Sequence, residues 1–154
     1  MGDIRIRFDN LTGTGDFAMD GPGLETGHEL ETAVLVSLFT DAQADPGDAV
    51  ANEIDPRGWW ADTYSAQEDP TLSRIPNDRT GSKLWQVFNM PRSQPTLNWM
   101  ADQIRVALNW MLVDGVASVV EVDPRFTSKG GVGATVTITA NGVPTRFDYV
   151  WDGL

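Results

Sequence analysis

The chain has 154 residues, 41% of them hydrophobic, with no cysteine and a formal net charge of −11. That length predicts one domain over residues 1–154, able to bury roughly 70% of its unfolded surface. The absence of cysteine excludes disulfides and thiolate metal sites, the scattered Lys and Arg argue against nucleic acid and anionic membranes as partners, and no apolar run reaches the ~18–20 residues of a membrane span.

The start, MGDIRIRF, lacks the charged head and apolar middle of a signal peptide. Residues 3–8 alternate strictly, with Ile4, Ile6 and Phe8 on one face and Arg5 and Arg7 on the other, which predicts a half-buried strand. LTGTGD (11–16) is turn chemistry, and a short second strand is expected over Asp16–Asp20, with Phe17 and Met19 pointing the same way. HELETAVLVSLFTD (28–41) has the spacing of a helix through Leu30, Val34 and Leu38, and Glu25, Glu29 and Glu31 suit the positive end of its dipole. Residues 42–55 predict an acidic, mobile loop, and DPRGWWAD (55–62) a turn followed by adjacent tryptophans. Another polar connection (65–80) leads to GSKLWQVF (81–88), which returns to short helical spacing, and MPRSQP (90–95) is a connector.

The longest periodic segment is PTLNWMADQIRVALNWMLVDG (95–115), with its helix at 96–113. Leu97, Met100, Ala101, Ile104, Ala107, Leu108, Met111 and Leu112 share one broad face, and Asp102, Arg105 and Asn109 lie opposite. Leu97, Ile104, Leu108 and Leu112 are the expected core residues; Trp99 and Trp110 widen the apolar face or mark where a partner lands. Pro95 fits a first turn and Gly115 a left-handed stop. Beyond it the period changes to two. VASVVEV (116–122) is an expected strand, DPRFTSKGG (123–131) a loop, and VGATVTITA (132–140) a strand with Val132, Ala134, Val136, Ile138 and Ala140 inward. Asn141-Gly142 is a type I′ hairpin signal, and VPTRFDYVW (143–151) returns with Val143, Phe147, Tyr149 and Trp151 on one face. The class is therefore α+β: a C-terminal three-stranded antiparallel meander and an N-terminal strand, packed on two or three helices.

Catalytic chemistry is sparse. His28 is the only histidine, and no nucleophile elbow or phosphate-binding glycine loop occurs. Asp45, Asp48, Glu53 and Asp55 cluster without the spacing of a calcium loop, which reads as a solvated acidic segment. Six tryptophans are the oddity (59, 60, 85, 99, 110 and 151). Trp59 and Trp60 diverge if their segment is extended, so one of them is available to a partner.

LETAVLVSLFTDAQA (30–44), DPRGWWAD, GSKLW (81–85) and ALNWMLVDGVASVVEV (107–122) together resemble the baseplate protein family of Mu-like contractile-tail phages, over about residues 3–140. That family is similar to wedge and sheath-initiator proteins of other contractile tails, sometimes labelled lysozyme-like. Those relatives run from Gly-Ser-x-Leu through a proline connector to a long helix, as here, but end the helix in Glu-Pro-Arg where this chain has Val113-Asp114-Gly115. The resemblance implies a structural part without catalysis or cofactor. It would sit in the virion's tail baseplate, and in the host cytoplasm before assembly. Its implied partners are other baseplate wedge and hub proteins and the tail sheath protein, with no small-molecule substrate. Arg57, Trp59, Trp60, Trp85, Tyr149 and Trp151 are the expected partner-binding residues, and the strand ending in DYVWDGL the expected edge for strand addition. A lysozyme-like cell-wall glycosidase and a carbohydrate-binding module using exposed tryptophans are the alternatives.

Overall fold

The computed structural model describes residues 4–48, 57–59 and 80–151. In chain order these form β1 (Ile6–Asp9), β2 (Thr14–Phe17), β3 (Met19–Asp20), β4 (Gly23–Leu24), α1 (Glu29–Phe39), a 3₁₀ helix (Leu84–Asn89), α2 (Gln94–Val113), β5 (Val119–Phe126), β6 (Val132–Ala140) and β7 (Val143–Trp151). The α+β class holds. β5, β6 and β7 make the expected antiparallel meander, while β1 pairs with β2 in a hairpin of its own and β3 with β4 in another. The expected strand at Asp16–Asp20 thus divides into two short ones; Ala18 turns inward between them, and Phe17 and Met19 are left exposed.

The core lies between one face of the meander and the two α-helices. β6 supplies its middle row, with Val132, Ala134, Val136 and Ile138 all buried. Across it the register aligns Val122, Val136 and Phe147, then Phe126, Val132 and Trp151. From α2 come Met100, Ile104, Leu108 and Met111, and from α1 Val34, Leu35 and Leu38. Fully burying a side chain of this size is worth about 1.5–3 kcal/mol, and in α1 that outweighs the mild helix penalty of two valines. Arg5 fastens β1 to α1, donating to Glu25 at 2.6 Å and to Glu31 at 2.9 Å.

Two expectations in this region are corrected. Leu112 is 41% exposed and Met111 takes its place in the core, because the buried arc of α2 is narrower than the apolar pattern suggests. Residues 123–126 are strand and not loop: Pro124 pairs with Ala134, which an edge strand permits because only one side of it needs donors. Elsewhere the local signals hold. Pro95 lies in the first turn of α2, Gly115 closes the helix at φ +71°, and Asn141 and Gly142 both take positive φ in the β6–β7 turn.

Candidate functional site

The two segments with the most distinctive sequence meet at the C-terminal end of α1. Gly81 approaches this end so closely, at φ +101°, that a Cβ would lie 2.3 Å from the Thr40 carbonyl oxygen. The closeness lets Ser82 act as a clasp. Its hydroxyl donates to the Leu38 carbonyl at 2.6 Å, its N–H to Thr40 at 2.9 Å, and its own carbonyl accepts from Ala42 at 2.9 Å. The last carbonyls of a helix lack partners within it, and Ser82 satisfies one of them in the interior. Leu84 then enters the core, and the Trp85 indole N–H donates to the Ala42 carbonyl at 3.0 Å.

Arg57 lies over this clasp. Its guanidinium is 4.7 Å from the centre of the Trp85 ring and 2.7 Å from Asp41. The backbone at Gly58 passes so near Gln43 that a Cβ there would stand 2.9 Å from the Gln43 Cβ. Arg57 and Trp85, two expected partner residues far apart in sequence, are therefore brought together, though partly for an architectural reason. Trp59, two residues on from Arg57, is 40% exposed. Trp60 lies outside the described residues, as does most of the 65–80 connection.

Acidic residues Asp45 and Asp48 are held by Lys83, whose ammonium is 2.7 and 2.6 Å from their carboxylates. These two carboxylates are thus neutralised in part by the protein's own cation. Desolvation pushes Asp48 up, but hydrogen bonds from Lys83, the Asp45 N–H and Gln86 together leave its pKa below the ordinary value. Lys83 is shifted the other way: desolvation lowers it, and the two carboxylates more than restore it.

Tyr149 and Trp151 are not on a free face. Both are buried, packed edge-on or stacked against Phe39 with ring centres 5.5 and 5.1 Å apart. The outer edge of β7 is also partly closed. The Asn10 side chain bonds it as a strand would, donating to the Asp148 carbonyl and accepting from the Val150 N–H, each at 3.0 Å. Backbone groups of even-numbered β7 residues therefore point outward, and Pro144, one of these, has no N–H to offer a new strand.

Trp110, expected to widen the apolar face or mark where a partner lands, belongs to a second apolar stripe on α2 whose other members, Val106 and Val113, were not foreseen. Val106, Trp110 and Val113 follow each other at four and three residues, so they share a face, and they are 70%, 38% and 74% exposed. The Trp110 indole donates to Ser37 of α1 at 3.0 Å, which fixes the ring at the seam between the helices. The spacing was visible in the sequence, hidden only by the stronger stripe next to it.

Comparison with known proteins adds the family. The phage protein GP46 family matches residues 30–144. The chain is 30% identical to the baseplate protein gp46 of Escherichia phage Mu, over the full length of both chains. It is 32% identical to the Mu-like prophage FluMu protein gp46 of Haemophilus influenzae, over 79% of this chain and 75% of that one. The chain belongs to the GP46 family of phage proteins.

Proposed function

We propose that this protein is a structural component of a contractile phage tail baseplate, acting by protein–protein contact and not by catalysis. Its place is in the wedge, beside the hub, where it binds other wedge and hub proteins and gives the tail sheath its starting point. It folds in the host cytoplasm and ends in the virion. The exposed stripe of Val106, Trp110 and Val113 carries the reading: an ordered helix that keeps large apolar side chains in water suits a surface made for a partner. The Trp85–Arg57 ledge is offered as the polar margin of that contact. The relative from phage Mu, similar from end to end, is named a baseplate protein, which supports the same assignment.

A glycosidase needs a carboxyl held protonated near neutral pH. Glu25, Asp48 and Asp148, the described carboxyls whose pKa moves, all move down, each through a hydrogen-bonding or cationic neighbour. The test is co-expression with the other baseplate proteins of the same genome. The chain is expected to co-purify with at least one of them, and Val106→Asp to lose it while remaining folded. Retention of every such partner by Val106→Asp, or cleavage of peptidoglycan by the purified chain, contradicts the proposal.

A further inference from the structure

A trough of about 780 Å³ opens between the 3₁₀ helix, the β5–β6 loop and the β1–β2 hairpin. Phe8, Phe39, Phe88 and Phe126 line it, together with Arg92 and Lys129, and its described lining contains no carboxylate. In a chain with 22 acidic and 11 basic residues that is unusual. Every other described Lys or Arg has an acidic neighbour: Arg5, Arg7, Arg57, Lys83, Arg105, Arg125 and Arg146 all stand within 4.0 Å of one. Arg92 and Lys129 are the two that do not, among the described residues, and both stand at this trough.

Arg92 is poised there. Its guanidinium lies 4.4 Å from the centre of the Phe126 ring and makes only long bonds, 3.5 and 3.4 Å, to the Gly131 and Thr127 carbonyls. Phe88, also in the lining, is 51% exposed. We infer that the trough is a second docking site, and that its occupant is a segment of a partner protein in which carboxylates alternate with large apolar side chains. The aromatic rings in the lining take the apolar groups, and the two cations, which have no carboxylate neighbour among the described residues, take the acidic ones. A cavity of this volume that is partly open to solvent admits a peptide segment. The inference rests on the assembly reading only in taking the occupant from another protein; the trough lies apart from the α2 stripe, and its chemistry can be tested on the isolated chain.

The probe is a fluorescein-labelled peptide, acetyl-DFELDFEL-amide, titrated with the full chain and followed by anisotropy. Saturable binding that weakens as salt rises is expected. It should fall about tenfold or more in the Arg92→Glu/Lys129→Glu double variant, and the counterpart acetyl-KFKLKFKL-amide should not bind. Phe88→Ser, which alters an exposed side chain only, should weaken the acidic peptide in its own right. Equal binding of the two peptides, binding unchanged in the double variant, or no binding of the acidic peptide overturns the inference. So does self-association of the chain that the double variant abolishes, since a second copy would then be the occupant. Loss of partner co-purification in Val106→Asp with the trough still binding the peptide would keep the two surfaces distinct.

Discussion

Replacing Gly81 by alanine puts the clasp at the end of α1 under a defined load. Gly81 and Gly130 have the same φ, +101°, but differ in surroundings: a Cβ at Gly130 meets nothing within 4 Å, whereas at Gly81 it would stand 2.3 Å from the Thr40 oxygen and 2.8 Å from the Thr40 carbonyl carbon. The conformational penalty of an L-residue there is shared by both, about 1–2 kcal/mol. Only Gly81→Ala must also push two backbones apart. Relieving that contact strains the three bonds of the clasp, from Ser82 to Leu38 and Thr40 and from Ala42 to Ser82. At a net of about 1 kcal/mol each, their loss brings the total to about 4–5 kcal/mol, a large share of the 5–15 kcal/mol typical of a domain. Urea denaturation of both variants measures the difference. Equal destabilisation at the two positions would refute the reasoning, because the clasp would then tolerate a methyl group that the geometry forbids.

Tyr149 is buried with a hydroxyl that has no hydrogen-bond partner among the described residues, and burial raises its pKa well above the usual phenol value. Tyr149→Phe should therefore leave stability unchanged or raise it by up to about 1 kcal/mol, read from the urea midpoint; a loss above that would mean that the hydroxyl has a partner. Lys83→Met should cost about 1–2 kcal/mol, between the values for exposed and buried pairs, since Lys83 is 17% and Asp48 26% exposed. The Asp48 carboxyl titrates below its ordinary 3.8 in the folded chain, so its share is present above that pH and is lost as pH falls through the lowered value. Lys83 titrates above its ordinary 10.5, so its share is present below that pH and is lost as pH rises through the raised value. The gap between wild type and Lys83→Met should thus be flat from about pH 4 to 10 and narrow outside it; a change in the gap near neutrality would implicate another group. Asn10→Ala should uncover the outer edge of β7 and increase self-association, as sedimentation velocity would detect. An unchanged distribution would mean that Pro144 and the charged side chains protect that edge without Asn10.

Much of the fold was legible because its signals are local. The alternation of Val132 to Ala140, the Asn141-Gly142 turn and the three- and four-residue steps of α2 each report a period that one element alone satisfies. Local signals mislead where a partner element decides. Leu112 and Met111 are both apolar neighbours on α2, and only the position of the sheet determines which is covered. Pro124 reads as a strand breaker until β5 is known to be an edge. The site divides in the same way. RGW and GSKLW were distinctive as words, but that Arg57 covers Trp85, or that Ser82 closes α1, depends on contacts across more than twenty residues. Tyr149 and Trp151 had the composition of an interface and prove to be core, since an aromatic strand face looks alike in either setting. The pairing of seven cations with carboxylates, and the two left at the trough, could be seen only in three dimensions.

The outer face of α2, with Val106, Trp110 and Val113, is the surface proposed for assembly. Its most direct test is electron microscopy of particles produced by the encoding phage or prophage carrying Val106→Asp and Val113→Asp together. Both side chains are largely exposed, at 70% and 74%, so the chain itself should still fold, with the circular dichroism and urea midpoint of the wild type. Such particles should lack complete baseplates and sheathed tails. Normal sheathed tails containing the folded double variant would contradict that assignment.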